Sequence, residues 1–72
     1  MQTETLIKMA NQIGDFFEAY PDKAQSIEEI ANHLNRFWTK EMRVQIAEHN
    51  LTKQGEGLHQ QVAAAISAYL ET

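Results

Sequence analysis

Cysteine is absent from these 72 residues, and glycine (three) and proline (one) are scarce. Without cysteine there is no disulfide staple and no thiolate ligand for a metal or an iron–sulfur cluster. That composition fits a reducing compartment. Long apolar runs are missing too: nothing approaches the roughly 20 residues of a membrane span. The start Met1-Gln2-Thr3-Glu4-Thr5 lacks the basic region and apolar stretch of a signal peptide. A cytoplasmic protein without a membrane partner is therefore expected. Positive charge is in deficit, with a net charge of −4. An acidic chain lacks the basic footprint that nucleic-acid phosphates select, which argues against a nucleic-acid partner.

Size sets a further limit. A chain this short forms one domain, residues 1–72, and buries about 60–65% of the surface that its unfolded form exposes. One thin core fits; a core plus a deep substrate cavity does not. Small scaffolds lean on disulfides, metals or partners, and here a partner is the staple left.

Apolar and aromatic residues make up 43% of the chain, so the composition is that of a folded protein. Ala, Glu, Gln, Leu and Met, all strong helix formers, are abundant. From about Thr3 to Tyr20, Leu6, Met9, Ala10, Ile13, Phe16, Phe17 and Tyr20 keep helical spacing. Pro21 ends that helix, because the residue before a proline avoids the helical region. A second helix is expected from about Ser26 to Trp38, with Ser26 and Glu29 as a capping box or a start one turn earlier near Asp22. Its stripe is Ile27, Ile30, Ala31, Leu34, Phe37 and Trp38. Thr39 caps a weaker third helix that ends between Leu51 and Gln54, with Met42, Ile46 and His49 on one side. Gly55-Glu56-Gly57 reads as a loop or C-cap, and Leu58 to Leu70 as a fourth helix. No segment alternates with period two. The expected fold is all-α, a compact bundle of about four short helices.

The first two helices share a pattern offset by 21 residues: MANQIGDFF reads against IANHLNRFW, with Asn11 over Asn32. Two core-facing helices need the same stripe, which accounts for the match with the Asn pair as chance; duplication is the alternative. The pattern predicts an antiparallel pair approaching closely at Ala10 and Ala31, with the aromatic doublets near opposite ends. Neighbours on a helix diverge by about 100°, so Phe37 and Trp38 cannot both face one element. One of them spills onto the surface, or Trp38 closes the end of the core.

Residues for chemistry do not converge in the sequence. His33, His49 and His59 have no helical partner histidine and no cysteine, and a metal site needs three or four convergent ligands. The ten acidic residues are scattered, with no pair placed for acid/base work. Ser26 reads as a cap, and neither serine sits in a nucleophile elbow. The Asp-Ser-Leu attachment motif of acyl carrier proteins is missing. No catalytic, cofactor-binding or metal residue is assigned. Arg36, Lys40 and Arg43 do form a basic patch beside Phe37, Trp38 and Met42. Aromatic, Met and Arg residues together are the composition of an interface core.

Met9-Ala10-Asn11-Gln12-Ile13 followed by Phe16-Phe17 and Pro21 resembles the delta subunit of NAD-dependent formate dehydrogenases. So do Ile30-Ala31-x-His33-x-x-x-Phe37-Trp38 with Met42-Arg43, and the Gly55-x-Gly57-Leu58 step. The resemblance spans about residues 5 to 70; Lys40-Glu41 and Asn35 depart from its usual pattern. It implies a cytoplasmic complex whose large subunit carries a molybdenum or tungsten bis-pyranopterin and iron–sulfur clusters, with FMN and NAD on other subunits. The delta subunit itself binds none of these and supports assembly, stability or cofactor retention of the catalytic (alpha) subunit. Arg36, Phe37, Trp38, Met42 and Arg43 are the candidate docking residues, with His33, Asn11 and Phe17 as secondary candidates. An isolated chain could pair with itself through the same patch. The alternative reading is a free-standing helical adaptor or chaperone-like helper that binds its partner transiently.

Overall fold

A computed structural model describes residues 1–72 and contains four α-helices: α1 (Thr3–Phe17), α2 (Lys23–Phe37), α3 (Lys40–Thr52) and α4 (Gln60–Tyr69). No strand is present, and no helix is long and apolar enough to cross a membrane. One core gathers Leu6 and Ala10 of α1, Ile30, Ala31 and Leu34 of α2, Trp38, Ile46 of α3, and Val62, Ala65 and Ile66 of α4. The helical stripes expected from spacing thus meet in a shared core, except that Phe16, Phe37 and Tyr69 stay exposed.

The helix ends follow local chemistry. α1 stops at Phe17, before the expected Tyr20. Pro21 bars Tyr20 from helical geometry, and the Tyr20 amide instead bonds the Phe17 carbonyl in a tight turn. α2 begins one turn before Ser26, because the Asp22 carboxylate accepts from the Ala24 and Gln25 amides. Ser26 is therefore no cap: it is fully buried and its hydroxyl donates to the Gln61 side-chain carbonyl of α4. Thr39 caps α3 as expected, accepting from the Met42 amide. α4 begins at Gln60 instead of Leu58, with His59 as its N-cap. Gln54, Gly55 and Gly57 of the connecting loop take positive φ (56°, 68° and 85°). Glycine adopts that region without steric cost.

α1 and α2 pack against each other, as predicted, but α2 packs more extensively on α4. Small residues permit that approach: Ser26 and Ala65 are fully buried between large neighbours. Gly14 does the same for α1, since a Cβ there would meet the Val62 Cγ2 methyl at 2.6 Å. The aromatic doublets also do not lie at opposite ends. A simple antiparallel pair would place Phe17 beside the first turn of α2; its ring instead lies 6.2 Å from that of His33, nearly three turns further along. Both doublets consequently border one groove.

Two asparagines hold the ends of α4. Asn11 of α1 donates to the Gly57 carbonyl (2.9 Å) and accepts from the His59 amide (2.7 Å). Asn35 of α2 donates to the Tyr69 carbonyl (3.2 Å) and accepts from the Glu71 amide (2.9 Å). Each side-chain amide thus pairs with a carbonyl and the N–H two residues later, as a neighbouring strand would. Asn32, the counterpart of Asn11 in the internal match, only reaches Glu29 on its own helix. The two asparagines of the match do unlike work.

Candidate docking groove

Helical spacing brings Met9, Gln12, Ile13, Phe16 and Phe17 of α1 to one face, and His33 and Phe37 of α2 meet them there. Trp38 and Met42 complete a groove of about 630 Å³ lined by these nine residues, seven of them hydrophobic. Trp38 is 5% exposed and seals the groove against the core. Phe37 points the other way and is 66% exposed, while Phe16 is 69% exposed. The divergence expected of neighbouring aromatics is resolved with Trp38 inward and Phe37 outward. The rings form a connected set: Phe16 lies edge-on to Phe17, and His33 sits 4.8 Å from Phe37 and 6.2 Å from Phe17.

Five of the eight candidate docking residues line this groove: Phe17, His33, Phe37, Trp38 and Met42. Arg36 stands at its rim, with its guanidinium 5.7 Å from the centre of the Phe37 ring. It adjoins a more polar hollow also lined by Glu29, Asn32, Asn35 and Glu71. Arg36 makes no hydrogen bond or ion pair within the chain, unlike Arg43. The Arg43 guanidinium donates to the carbonyls of Trp38 (2.6 Å) and Glu71 (2.7 Å), tying the start of α3 to the last residues. Asn11 is likewise occupied, in the clamp at the start of α4. The basic patch of Arg36, Lys40 and Arg43 therefore divides: Arg43 holds the fold, and Arg36 is presented to solvent.

Sequence reasoning missed Phe16, Met9, Ile13 and Gln12 as groove residues. The signal was present in the Phe16-Phe17 doublet, where the same 100° divergence forces one ring outward. Leu51 and Tyr69 are also exposed, at 82% and 50%, but they lie outside the groove.

One cluster has the composition of a cation site. Ligand atoms of Asp15, Glu18 and His59 lie within 4.8 Å of one another. His59 is already fixed from its other side, because its Nδ1 accepts the Gln61 amide at 3.0 Å. An imidazole accepting at Nδ1 carries its proton on Nε2, which donates to the Glu18 carboxylate at 2.9 Å. A metal on Nε2 would require the opposite tautomer, with an Nδ1–H aimed at the Gln61 N–H. The cluster serves as a cap and brace for α4.

The family model for the NADH-dependent formate dehydrogenase delta subunit FdsD matches residues 5–66, which include every residue of the groove. No curated protein and no solved structure matches the chain.

Proposed function

The chain belongs to the family of NADH-dependent formate dehydrogenase delta subunits, and we propose that it serves as a non-catalytic subunit of such an enzyme, bound to the catalytic (alpha) subunit. In this reading it supports assembly, stability or cofactor retention of that subunit in the cytoplasm. The bis-pyranopterin metal, the iron–sulfur clusters, FMN and the NAD site belong to other chains. The match over residues 5–66 carries the reading.

Two further features support it. The chain has no cysteine with which to hold a cluster, and its one compact histidine–carboxylate group is engaged in helix capping. Its groove also places two large aromatic side chains in water, an unfavourable arrangement that a partner surface relieves.

Co-expression with the remaining subunits provides the test. A tagged chain should pull down the catalytic subunit at fixed stoichiometry and co-migrate with it on size exclusion. Omitting the chain should lower the yield or the metal content of the catalytic subunit, while the isolated chain adds no turnover. Elution of the chain apart from an assembled, fully active enzyme would sink the subunit reading in favour of a transient helper.

A further inference from the structure

The groove differs from the rest of the surface in charge. Ten of the 72 residues are acidic, yet none of the nine that line the groove is a carboxylate. Its polar side chains are Gln12 and His33, with Arg36 at the rim. The Arg36 guanidinium, held over Phe37, has no partner within the chain. Neither ring nitrogen of His33 has one, whereas His49 donates to the Glu56 carbonyl and His59 caps α4. One wall of an apolar groove thus carries Arg36 and His33 without a hydrogen-bond or ion-pair partner in the chain, next to a polar hollow that they share with Glu29 and Glu71.

Resting on the subunit reading above, we infer that this groove receives an amphipathic helix of the partner subunit. Its apolar side chains fill the space between Phe16 and Phe37, and its flanking carboxylate pairs with Arg36. Backbone accounting favours a helix over an extended segment. This chain has no strand edge to pair with, and an extended peptide would set its own N–H and C=O groups against an apolar floor. A helix satisfies those groups internally and inserts side chains alone. The subunit reading favours another subunit over a second copy as the occupant.

Phe16 and Phe37 are the anchors, and Arg36 sets the register of the partner helix. Truncation of a true anchor costs about 30-fold in affinity or more. The experiment uses the co-expressed complex and four variants: Phe16→Ala/Phe37→Ala, Arg36→Glu, Arg36→Gln, and Leu51→Ala as a control on another face. All four should keep the wild-type helical signal and melting behaviour, because the altered side chains are exposed. The double variant should lose the catalytic subunit on pull-down, with affinity lowered at least about 30-fold. Arg36→Glu should bind more weakly than Arg36→Gln, and Leu51→Ala should bind normally. A photo-crosslinking residue at position 37 should label a helix of the partner bearing Asp or Glu beside apolar residues. Full retention of the folded double variant overturns the groove assignment, and so does a cross-link to another copy of this chain or to a segment without a carboxylate. These failures are distinct from failure of the subunit reading, in which the wild-type chain itself is not retained.

Discussion

The side of the molecule that carries α4 and the side that carries the groove are built from similar residues with opposite outcomes. Around α4, polar side chains are matched. Asn11 and Asn35 each pair with both a carbonyl and an amide of the passing backbone. Asn50 donates to Ser67, and Ser26 donates to Gln61. Around the groove, Arg36 and His33 contact only aromatic rings and make no hydrogen bond or ion pair within the chain, and Phe16 and Phe37 stand in water. Buried or half-buried polar groups are normally satisfied, and a small protein gains stability by covering its aromatic rings. On the α4 side, side-chain hydrogen bonds meet the first rule; at the groove water does so, and Phe16 and Phe37 are more exposed than Tyr69 of α4. Residues of one type therefore separate into those bonded within the fold and those left without a polar partner in it. Arg43 against Arg36 and His59 against His33 are the clearest pairs.

The largest test of this contrast compares Leu34 and Phe37, three residues apart on α2. Leu34 is fully buried, and Leu34→Ala should cost about 2–5 kcal/mol from lost burial and the cavity left behind. A domain of this size has a total stability of about 4–11 kcal/mol, so the variant should be partly unfolded at ordinary temperature. Phe37→Ala removes a larger side chain but should shift stability by no more than about 0.5 kcal/mol. Urea melts followed by circular dichroism separate the two. Equal losses would mean that the groove rings belong to the core and that the contrast is false.

A smaller effect is expected at the clamps. Asn11→Ala leaves the part-buried His59 amide without its partner and the exposed Gly57 carbonyl to water, and should cost about 1 kcal/mol. Asn35→Ala should cost less, because the Tyr69 and Glu71 groups that it serves lie at the exposed end of the helix, where water replaces it. Hydrogen exchange reads the effect locally. The His59 amide should exchange faster in the first variant, and the Glu71 amide in the second. Unchanged exchange at His59 would show that the Asn11 clamp contributes nothing.

What could be read from the sequence follows from the range over which each feature is encoded. α1 and α2 were legible because their apolar residues repeat at helical spacing within a few turns. Thr39 as a cap was legible because its partner, Met42, lies three residues away. Ser26 was misread because its partner, Gln61, lies 35 residues away. A Ser-x-x-Glu pattern looks like a capping box whether or not Asp22 has already started the helix. The clamps of Asn11 and Asn35 join residues 34 to 48 apart, so no local pattern announces them. Of the candidate docking residues, composition singles out Arg36, Phe37, Trp38, Met42 and Arg43, and the family resemblance adds Asn11, Phe17 and His33; neither reveals that the donors of Arg43 and Asn11 are engaged elsewhere in the fold.

The finest test sets one histidine against another. His59 caps α4 through Nδ1, an unusual acceptor at a position where Ser, Thr, Asp and Asn prevail. This chemistry explains why the expected start at Leu58 fell two residues early: no common cap residue marks the true boundary. His59→Ala should cost about 1 kcal/mol, the usual loss on removing a cap. Most of that should return in His59→Asn, whose side-chain oxygen can accept the Gln61 amide although it cannot reach Glu18. His33 makes no comparable bond, so His33→Ala should leave the melting curve within about 0.5 kcal/mol of wild type. If capping is the main role of His59, the order of stability is wild type, His59→Asn, His59→Ala. If the brace to Glu18 matters more, His59→Asn falls to the level of His59→Ala, and the Glu18→Gln variant falls with it. Either order leaves His33 silent in folding, as the proposed docking role of its face requires.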